Sequence, residues 1–294
     1  MTPRLTLGTA NFGLPYGIAN NRMLTEKEAF AILEKAVDLG VSSVDTARGY
    51  GDAEKVLGKF FAQHGKVFEI VSKLPDGEYR TPDDVRRQVD ASLENLGVSR
   101  IDALLLHSFR AFERFKDVLL PVLESYFSSG LIGGYGLSVY HPYEVETALR
   151  AGFRIAAVQF PLSLFDQRFL KGGYIQKFGT HGISLYARSI FLQGLFFVDG
   201  AGLGDHFDEA KPKLKHLASM ARMHGTSVEA LAILFAVSSG VDHVLLGVDN
   251  AEQLERNVGH MSNGVEDLLP RLKQGFDMLE VSNEEIILPF RWKQ

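Results

Sequence analysis

Short runs of apolar residues alternate along the chain with longer segments in which apolar positions recur every three or four residues. The short runs are typical of strands buried on both faces, and the longer segments are typical of amphipathic helices. The runs predict eight strands, at Leu5–Gly8, Val41–Thr46, Phe68–Leu74, Ile101–Leu106, Gly134–Val139, Ile155–Phe160, Ile183–Tyr186 and His243–Leu246. The pattern therefore predicts eight strand–helix units with a parallel sheet.

Local signals mark the ends of several helices. Thr25 is followed three residues later by Glu28, which is the spacing of a capping box. A second helix has Pro82 in its first turn and ends at Gly97, in keeping with the preference for proline at helix starts and glycine at helix ends. Helices are predicted at 25–40, 52–64, 81–97, 112–129, 142–151, 169–178, 211–224, 227–238 and from 251 onward, with a longer loop at 191–208.

Eight units within roughly 250 residues fit a closed (β/α)8 TIM barrel better than an open, doubly wound α/β sheet. Gly8, Gly13 and Gly17 also lack the spacing of the dinucleotide-binding fingerprint that follows the first strand of a doubly wound sheet. No shift in composition marks a boundary, so residues 1–294 are predicted to form a single barrel domain. Residues 265–294 are predicted to be an extra C-terminal helical segment packed on the barrel.

Composition narrows the class of protein. The 294 residues are 46% hydrophobic and 23% charged, which is enough apolar material for a large core. A net charge of -5 and the lack of a basic run argue against nucleic acid or an anionic membrane surface as a partner. The chain starts without a signal-peptide pattern and contains no apolar run long enough to span a membrane, so a cytoplasmic protein is expected.

Metal and thiol chemistry are not indicated. The chain has no cysteine, which excludes disulfides, thiol catalysis and cysteine metal clusters. Its nine histidines show no spacing typical of metal ligands, so no metal site is predicted.

Three consecutive predicted strands end on ionisable residues: Asp45, Lys73 and His107. Tyr50 follows the first of them in a glycine-flanked turn. The carboxyl ends of barrel strands form the active face, so these four side chains are expected to meet there. A phenol has an ordinary pKa near 10, and a tyrosine acting as acid or base therefore needs a nearby cation, which Lys73 can supply. Asp45 would hold Lys73 charged, and His107 would direct a carbonyl oxygen toward the Tyr50 hydroxyl.

Each of these residues has a structural interpretation when taken alone. Asp45 could cap a helix, His107 could be a core histidine, and Tyr50 could serve packing. Their appearance after successive strands favours a catalytic site. Aromatic residues near the strand ends are core residues by default and could instead wall a substrate pocket; they are Phe12, Tyr16, Phe109, Tyr140 and Phe165.

The sequence resembles the aldo-keto reductase family over nearly its whole length. The resemblance rests on Asp45 and Tyr50 in Asp-Thr-Ala-x-x-Tyr-Gly, Lys73 in Ser-Lys-Leu and His107 in Leu-Leu-Leu-His, which match the family's catalytic tetrad in order and context. It implies an oxidoreductase whose hydride donor is a nicotinamide cofactor, bound in extended form across the barrel mouth without a Rossmann domain.

The resemblance also implies cofactor contacts. Ser138 and Gln159 correspond to residues that hold the carboxamide, Tyr186 to the aromatic that stacks under the nicotinamide, and 188–194 to a loop against the pyrophosphate. Departures from the family pattern are Val139, where many relatives have Asn, and Arg188-Ser189, where many have Pro-Leu. The full set of implied contacts is Gly8, Thr9, Asp45, Ser138, Gln159, Tyr186, Arg188, Gln193, Gly194, Gly247, Asp249, Gln253 and Asn257.

The residue at position 249 bears on the cofactor preference. Where NADPH-preferring members place Lys or Arg, this chain has Val248 and Asp249. A carboxylate there would repel a 2′-phosphate and could accept a hydrogen bond from a ribose 2′-hydroxyl. NAD(H) is therefore predicted over NADP(H).

The resemblance thus implies interconversion of an aldehyde or ketone, sugar-derived compounds included, and its alcohol, with Tyr50 as general acid and base. One alternative is a regulatory protein that binds NAD(H) on the same scaffold with little turnover. Another is a docking role of the kind that the family's potassium-channel β-subunits have. The sequence leaves the substrate and the oligomeric state open.

Overall fold

A computed structural model of the protein describes residues 3–18, 21–262 and 269–292. Its eight strands are all parallel, pair in sequence order and close into a barrel because the last strand pairs with the first. The strands are β1 (Arg4–Gly8), β2 (Ser43–Asp45), β3 (Glu69–Leu74), β4 (Ala103–Leu106), β5 (Tyr135–Ser138), β6 (Ala157–Pro161), β7 (Ser184–Arg188) and β8 (His243–Gly247). The predicted (β/α)8 barrel is confirmed.

Helices follow the strands and cover the outside of the barrel. Those of the described residues are α1 (Glu26–Asp38), α2 (Ala53–His64), α3 (Pro82–Leu96), α4 (Phe109–Ser128), α5 (Pro142–Arg150), α6 (Arg168–Lys171), α7 (Tyr174–Gly179), α8 (Ala210–Met223), α9 (Val228–Val237), α10 (Ala251–Ser262), α11 (Leu269–Met278) and α12 (Glu284–Ile287). Both predicted helix starts are present: Thr25 and Glu28 form a capping box at α1, and Thr81 caps α3 ahead of Pro82.

Two elements differ from the predicted pattern. The single helix expected at 169–178 is two short helices, α6 and α7, because Gly173 adopts a left-handed conformation with φ of 69°. The expected loop at 191–208 contains three short 3-10 helices, Leu192–Phe197, Gly200–Gly202 and Asp205–Phe207.

The strand register sets which side chains meet inside the barrel. Asp45 pairs with Gly8 on one side and Val71 on the other, and Lys73 pairs with Leu105. Side chains alternate between the two faces of a strand, so one set fills the barrel and the other packs against the helices. Lys73 and Asp45 both belong to the inward set and meet near the carboxyl ends of their strands.

The C-terminal helices pack on the barrel, as predicted. Two hydrogen bonds tie this segment to the loop after β6: Gln167 Nε2 donates to Phe276 O at 2.7 Å, and Val281 N donates to Phe165 O at 2.9 Å. Residues 265–268 and 293–294 of the predicted segment lie outside the described residues. In the part of the chain that the structure describes, no helix is both long and apolar enough to cross a membrane.

Candidate active site

A cavity of about 620 Å³ opens at the carboxyl ends of the strands. This volume is within the range of pockets that hold small molecules and cofactors. Lys73 lies below the cavity and Tyr186 inside the barrel, whereas the other predicted site residues line the cavity. Those lining residues are Gly8, Thr9, Asp45, Tyr50, His107, Ser138, Gln159, Arg188, Gln193, Gly194, Gly247, Asp249, Gln253 and Asn257.

A buried ion pair forms the floor of the site. Lys73 Nζ donates to both carboxylate oxygens of Asp45 at 2.7 Å and to Thr46 O at 3.0 Å. Gln159 Nε2 donates to Asp45 Oδ1 at 2.7 Å. Both charged side chains are almost fully buried, so each depends on the other for the interactions that it lost with water. Burial lowers the pKa of Lys73, and the charge and hydrogen bonds of Asp45 oppose this shift.

Tyr50 lies above this pair. Lys73 Nζ is 3.5 Å from the Tyr50 hydroxyl oxygen and donates to it. Burial of the phenol and the nearby Asp45 charge raise the pKa of Tyr50, while the Arg188 charge opposes the rise. The net direction is opposite to the predicted lowering by Lys73, because burial of the phenol is the largest influence on this pKa. At neutral pH the residue is therefore a protonated phenol.

The turn that carries Tyr50 is packed against the loop after β1. A Cβ atom added at Gly13 would lie 2.0 Å from Tyr50 O, and one added at Gly51 would lie 2.2 Å from Gly13 O. Gly51 also has a positive φ of 56°. Glycine at both positions is thus required for the close approach that holds Tyr50 in place.

His107 contacts Tyr50 edge to face, with ring centroids 5.5 Å apart. Its pKa is lowered to about 3 by burial and by the positive charges of Lys73 and Arg188. The imidazole is therefore neutral at physiological pH and can donate or accept a hydrogen bond without carrying a charge.

The loop after β7 crosses the mouth of the cavity. Ile18 N, in the loop after β1, donates to Gln193 O at 2.9 Å. Ser189, Leu192 and Gln193 have positive φ values of 62°, 46° and 52°. These residues form a bent, backbone-lined edge over the cavity, which continues into Gly194.

The far end of the cavity is formed by β8 and the start of α10. Asn250 Oδ1 accepts from Gln253 N at 2.9 Å, and Gln253 Oε1 accepts from Asp249 N at 2.7 Å. Asn11 Nδ2 donates to Val248 O at 2.8 Å and so ties this turn to the loop after β1. The predicted residues Asp249, Gln253 and Asn257 are brought together here.

Tyr186 does not reach the cavity, which corrects the assignment made from the resemblance. Its ring stacks on His243 with centroids 4.0 Å apart and belongs to the apolar cluster inside the barrel. Strand β7 continues two residues beyond Tyr186, and side chains two apart share a face. Arg188 therefore occupies the rim position on that face.

Two features of this face are not predicted from the sequence. Phe290 lines the cavity from the C-terminal segment, and its ring lies 4.8 Å from that of Tyr140. Glu54 is buried below the Tyr50 turn, 3.6 Å from the Arg48 guanidinium. Glu54 could have been found from the sequence, because it is an acid on the otherwise apolar inner face of α2. No pattern in the sequence points to Phe290.

Of the five candidate wall aromatics, Tyr16 and Tyr140 line the cavity. The other three, Phe12, Phe109 and Phe165, are buried in the core. Among the described residues, no group of three or more His, Asp or Glu side chains is arranged to hold a metal ion.

The fold and this face together define a barrel enzyme. A family model described as the aldo/keto reductase family matches residues 4–267. Over 297 residues, 87% of this chain and 88% of the relative, the sequence is 28% identical to the D-threo-aldose 1-dehydrogenase of Pseudomonas sp. It is 26% identical to the L-glyceraldehyde 3-phosphate reductase of Escherichia coli strain K12, covering 89% of this chain and 84% of that protein.

Solved structures agree on the fold. The holo form of an aldo-keto reductase from Bacillus halodurans superposes with a TM-score of 0.77 at 20% identity, covering 96% of this chain and 93% of that one. The chain belongs to the aldo/keto reductase family. It is an oxidoreductase of a family that uses nicotinamide cofactors.

Proposed function

We propose that this enzyme reduces an aldehyde or ketone to the alcohol with a nicotinamide dinucleotide as hydride donor and Tyr50 as proton donor. One observation carries the proposal: Lys73 Nζ contacts both Asp45 oxygens at 2.7 Å and the Tyr50 hydroxyl at 3.5 Å, at the floor of an open cavity. A phenol is a poor acid in isolation, and a fixed ammonium beside its oxygen is the feature that makes proton transfer feasible.

Each residue has a distinct role in this proposal. Tyr50 donates its proton to the carbonyl oxygen, and Lys73 stabilises the phenolate that forms because its Nζ already donates to that oxygen. Asp45 keeps Lys73 charged and oriented, and neutral His107 donates a hydrogen bond to the same carbonyl oxygen. The bound cofactor supplies the hydride. In the reverse direction the Tyr50 phenolate accepts the proton of an alcohol or sugar hemiacetal.

The cavity residues fit a dinucleotide. Ser138 and Gln159 present polar side chains beside the catalytic residues, and the bent 189–194 loop offers backbone groups for a pyrophosphate. No atom lies within 4 Å of the position that a Cβ atom of Gly247 would occupy. A ligand can therefore approach the backbone closely at the point where the far end of the cavity begins. Gly8 and Thr9 border the same channel, and Gln253 and Asn257 border its adenosine end.

We propose NAD(H) as the preferred cofactor. Asp249 lines the far end of the cavity, and none of the described residues that line that end is Lys or Arg. A 2′-phosphate would meet a carboxylate there, and no lysine or arginine among the described lining residues would compensate for the repulsion. A KM for NADPH equal to or below that for NADH would refute this preference. Asp249→Asn should lower the KM for NADPH, whereas the exposed-site control Asp277→Asn should leave it unchanged.

For the substrate, we propose a small polyhydroxylated carbonyl compound or its hemiacetal. The names of two relatives specify D-threo-aldoses and L-glyceraldehyde 3-phosphate, which supports a compound of sugar type. The cavity mouth also offers hydroxyl and amide groups from Tyr16, Tyr140 and Gln193 that suit such a substrate.

A substitution at Tyr50 tests the function. Tyr50→Phe should abolish NADH oxidation, followed at 340 nm, with a panel of aldehydes, ketones and sugars, while the Kd for NADH stays close to wild type. The control Tyr143→Phe removes the hydroxyl of an exposed tyrosine outside the cavity and should retain turnover. NADH binding without turnover of any compound by the wild-type protein would instead support a sensor of the dinucleotide.

A further inference from the structure

Arg188 is the one arginine or lysine among the described residues that line the cavity. No carboxylate within residues 3–18, 21–262 and 269–292 forms an ion pair with it at 4.0 Å or less. Three carboxylates line the cavity. Asp45 is already paired with Lys73. Glu229 lies in α9, and Asp249 lies in the turn after β8 at the far end of the cavity. A half-buried guanidinium without an anionic partner is costly unless a ligand provides one.

The guanidinium is also held in position before any ligand binds. Its Cζ lies 4.4 Å from the centroid of the Tyr140 ring, its Nη2 donates to Val139 O at 3.2 Å and its Nη1 donates to Ser189 Oγ at 3.3 Å. These contacts use two of its five N–H groups, and all come from neutral partners. An arginine fixed in this way loses little conformational entropy when it binds an anion.

The position of Arg188 is at the Tyr50 end of the cavity. Its positive charge opposes the rise in the pKa of Tyr50 and contributes to the lowered pKa of His107. The Tyr140 ring on which it stacks is covered on another side by Phe290, so this end has an aromatic wall with one fixed cation. The resemblance also implied a pyrophosphate contact for Arg188, but the other two residues implied there, Gln193 and Gly194, lie five and six residues further along the chain on the edge of the mouth.

We infer that Arg188 binds an anionic group of the substrate, a carboxylate or a phosphate carried by the carbonyl compound that Tyr50 protonates. This inference rests on the proposed function and specifies its substrate class. The guanidinium presents a planar set of donors that suits the oxygens of either anion, and the neutral acceptors Val139 O and Ser189 Oγ take up two of its five N–H groups.

Matched substrate pairs test the inference. The first pair is butanal and 4-oxobutanoate, which differ by a carboxylate, and the second is glycolaldehyde and glycolaldehyde phosphate. With wild-type enzyme and saturating NADH, kcat/KM for the anionic member of at least one pair should exceed that for the neutral member by about 10- to 100-fold, as expected for a charge-assisted hydrogen bond. The pair that shows the preference identifies which anion is bound.

Variants at position 188 locate the effect. Arg188→Met should remove the preference: KM should rise more for the anionic member than for the neutral member, so that the ratio of their kcat/KM values falls to about 1. Arg188→Lys should restore part of the preference because it keeps the charge and loses the planar fork. The control Arg87→Met, which removes an exposed arginine of α3, should keep the full preference.

The experiment distinguishes failure of the role of Arg188 from failure of the proposed function. Equal kcat/KM within both pairs on an active enzyme overturns the role of Arg188 and leaves the proposed function intact. A weaker Kd for NADH in Arg188→Met, with anionic and neutral members slowed equally, assigns the guanidinium to the cofactor and also overturns the inference. Absence of turnover with every compound overturns the proposed function, and this inference with it.

Discussion

The Lys73–Asp45 pair is the interaction on which the site depends most at the level of single residues. Both side chains are buried, and the Gln159 side chain also hydrogen-bonds the carboxylate. Replacing one partner leaves an uncompensated charge in a low-dielectric environment, which typically costs about 3–5 kcal/mol. Replacing both removes the charge altogether and is far better tolerated.

Lys73→Met is therefore expected to lower the free energy of unfolding by about 3–5 kcal/mol and to abolish turnover. The double variant Asp45→Asn/Lys73→Met should recover most of the lost stability and remain inactive. Urea denaturation followed by circular dichroism measures the first effect, and NADH oxidation measures the second. A double variant no more stable than Lys73→Met would show that the pair is not the source of the loss.

His107 leads to a prediction on the pH dependence of the reaction. Its pKa of about 3 means that it gains a proton only in strong acid, so it stays neutral from pH 5 to pH 8. The kcat/KM for carbonyl reduction should show no ionisation with a pKa near 6.5 in that range. A pH–rate profile with a neutral substrate at constant ionic strength checks this, and an acidic limb centred near 6.5 would contradict it.

At the level of elements, α2 starts immediately after the turn that carries Tyr50. Glu54, in its first turn, accepts from Ser72 Oγ at 2.7 Å and from Asn95 Nδ2 at 3.3 Å, and lies 3.6 Å from Arg48. Arg48 belongs to the Tyr50 turn, and its backbone N donates to Lys73 O at 3.1 Å. The buried carboxylate thus joins α2, α3 and β3 to the loop that positions the proton donor.

Glu54→Gln is expected to lower activity by loosening the position of Tyr50. The amide still accepts from Ser72 but no longer balances the Arg48 charge, so the Tyr50 turn should be held less firmly. We expect kcat to fall about 10-fold, since sub-ångström misplacement of a reacting group is costly, while the Kd for NADH is unchanged. Steady-state kinetics and cofactor titration measure the two quantities.

The matched control for this substitution is Glu34→Gln, at an exposed position of α1. It should leave kcat and stability unchanged. A fall in kcat that only follows a general loss of folded protein, seen as an equal fall in cofactor-binding capacity, would argue against a positioning role for Glu54.

Strand ends could be predicted from the sequence where local chemistry marks them. Asp45, Lys73 and His107 each lie at or next to the end of a predicted strand, so their convergence follows from parallel strands alone. Tyr186 could not be placed in this way, because two further residues of β7 separate it from the rim and the apolar pattern does not show where the strand stops. The contribution of Phe290 depends on the path of the C-terminal segment, which is set by long-range contacts such as Arg168 Nη1 to Glu284 Oε1 at 3.1 Å.

At the scale of the whole molecule, the barrel encloses a second histidine far from the reacting groups. His243, at the start of β8, is buried; its ring stacks on Tyr186, and its Nδ1 lies 3.2 Å from Thr6 Oγ1. Burial and the Arg4 charge lower its pKa to about 4, while the Asp242 charge opposes the shift. The folded protein therefore keeps both His243 and His107 neutral at a pH where the unfolded chain would protonate them.

This difference predicts how stability depends on pH. A histidine whose pKa is 6.5 when unfolded and about 3 or 4 when folded binds a proton more readily in the unfolded chain. Its contribution is fully present above pH 6.5 and is lost as the pH falls from 6.5 toward 4, by roughly 2 kcal/mol per histidine at pH 5. Carboxyl groups with lowered pKa, such as Glu28, act only below their ordinary value of 4.5, so the interval from pH 7 to 5 isolates the histidines.

The free energy of unfolding should accordingly drop between pH 7 and pH 5, and His243→Asn should reduce that drop by roughly 2 kcal/mol because an amide does not titrate. Urea denaturation of the wild type and the variant at both pH values measures the difference. His181→Gln, which replaces an exposed histidine, should reproduce the wild-type drop. If His243→Asn also reproduces it, the barrel interior does not resist protonation at His243, and the acid sensitivity must come from His107 or from the surface.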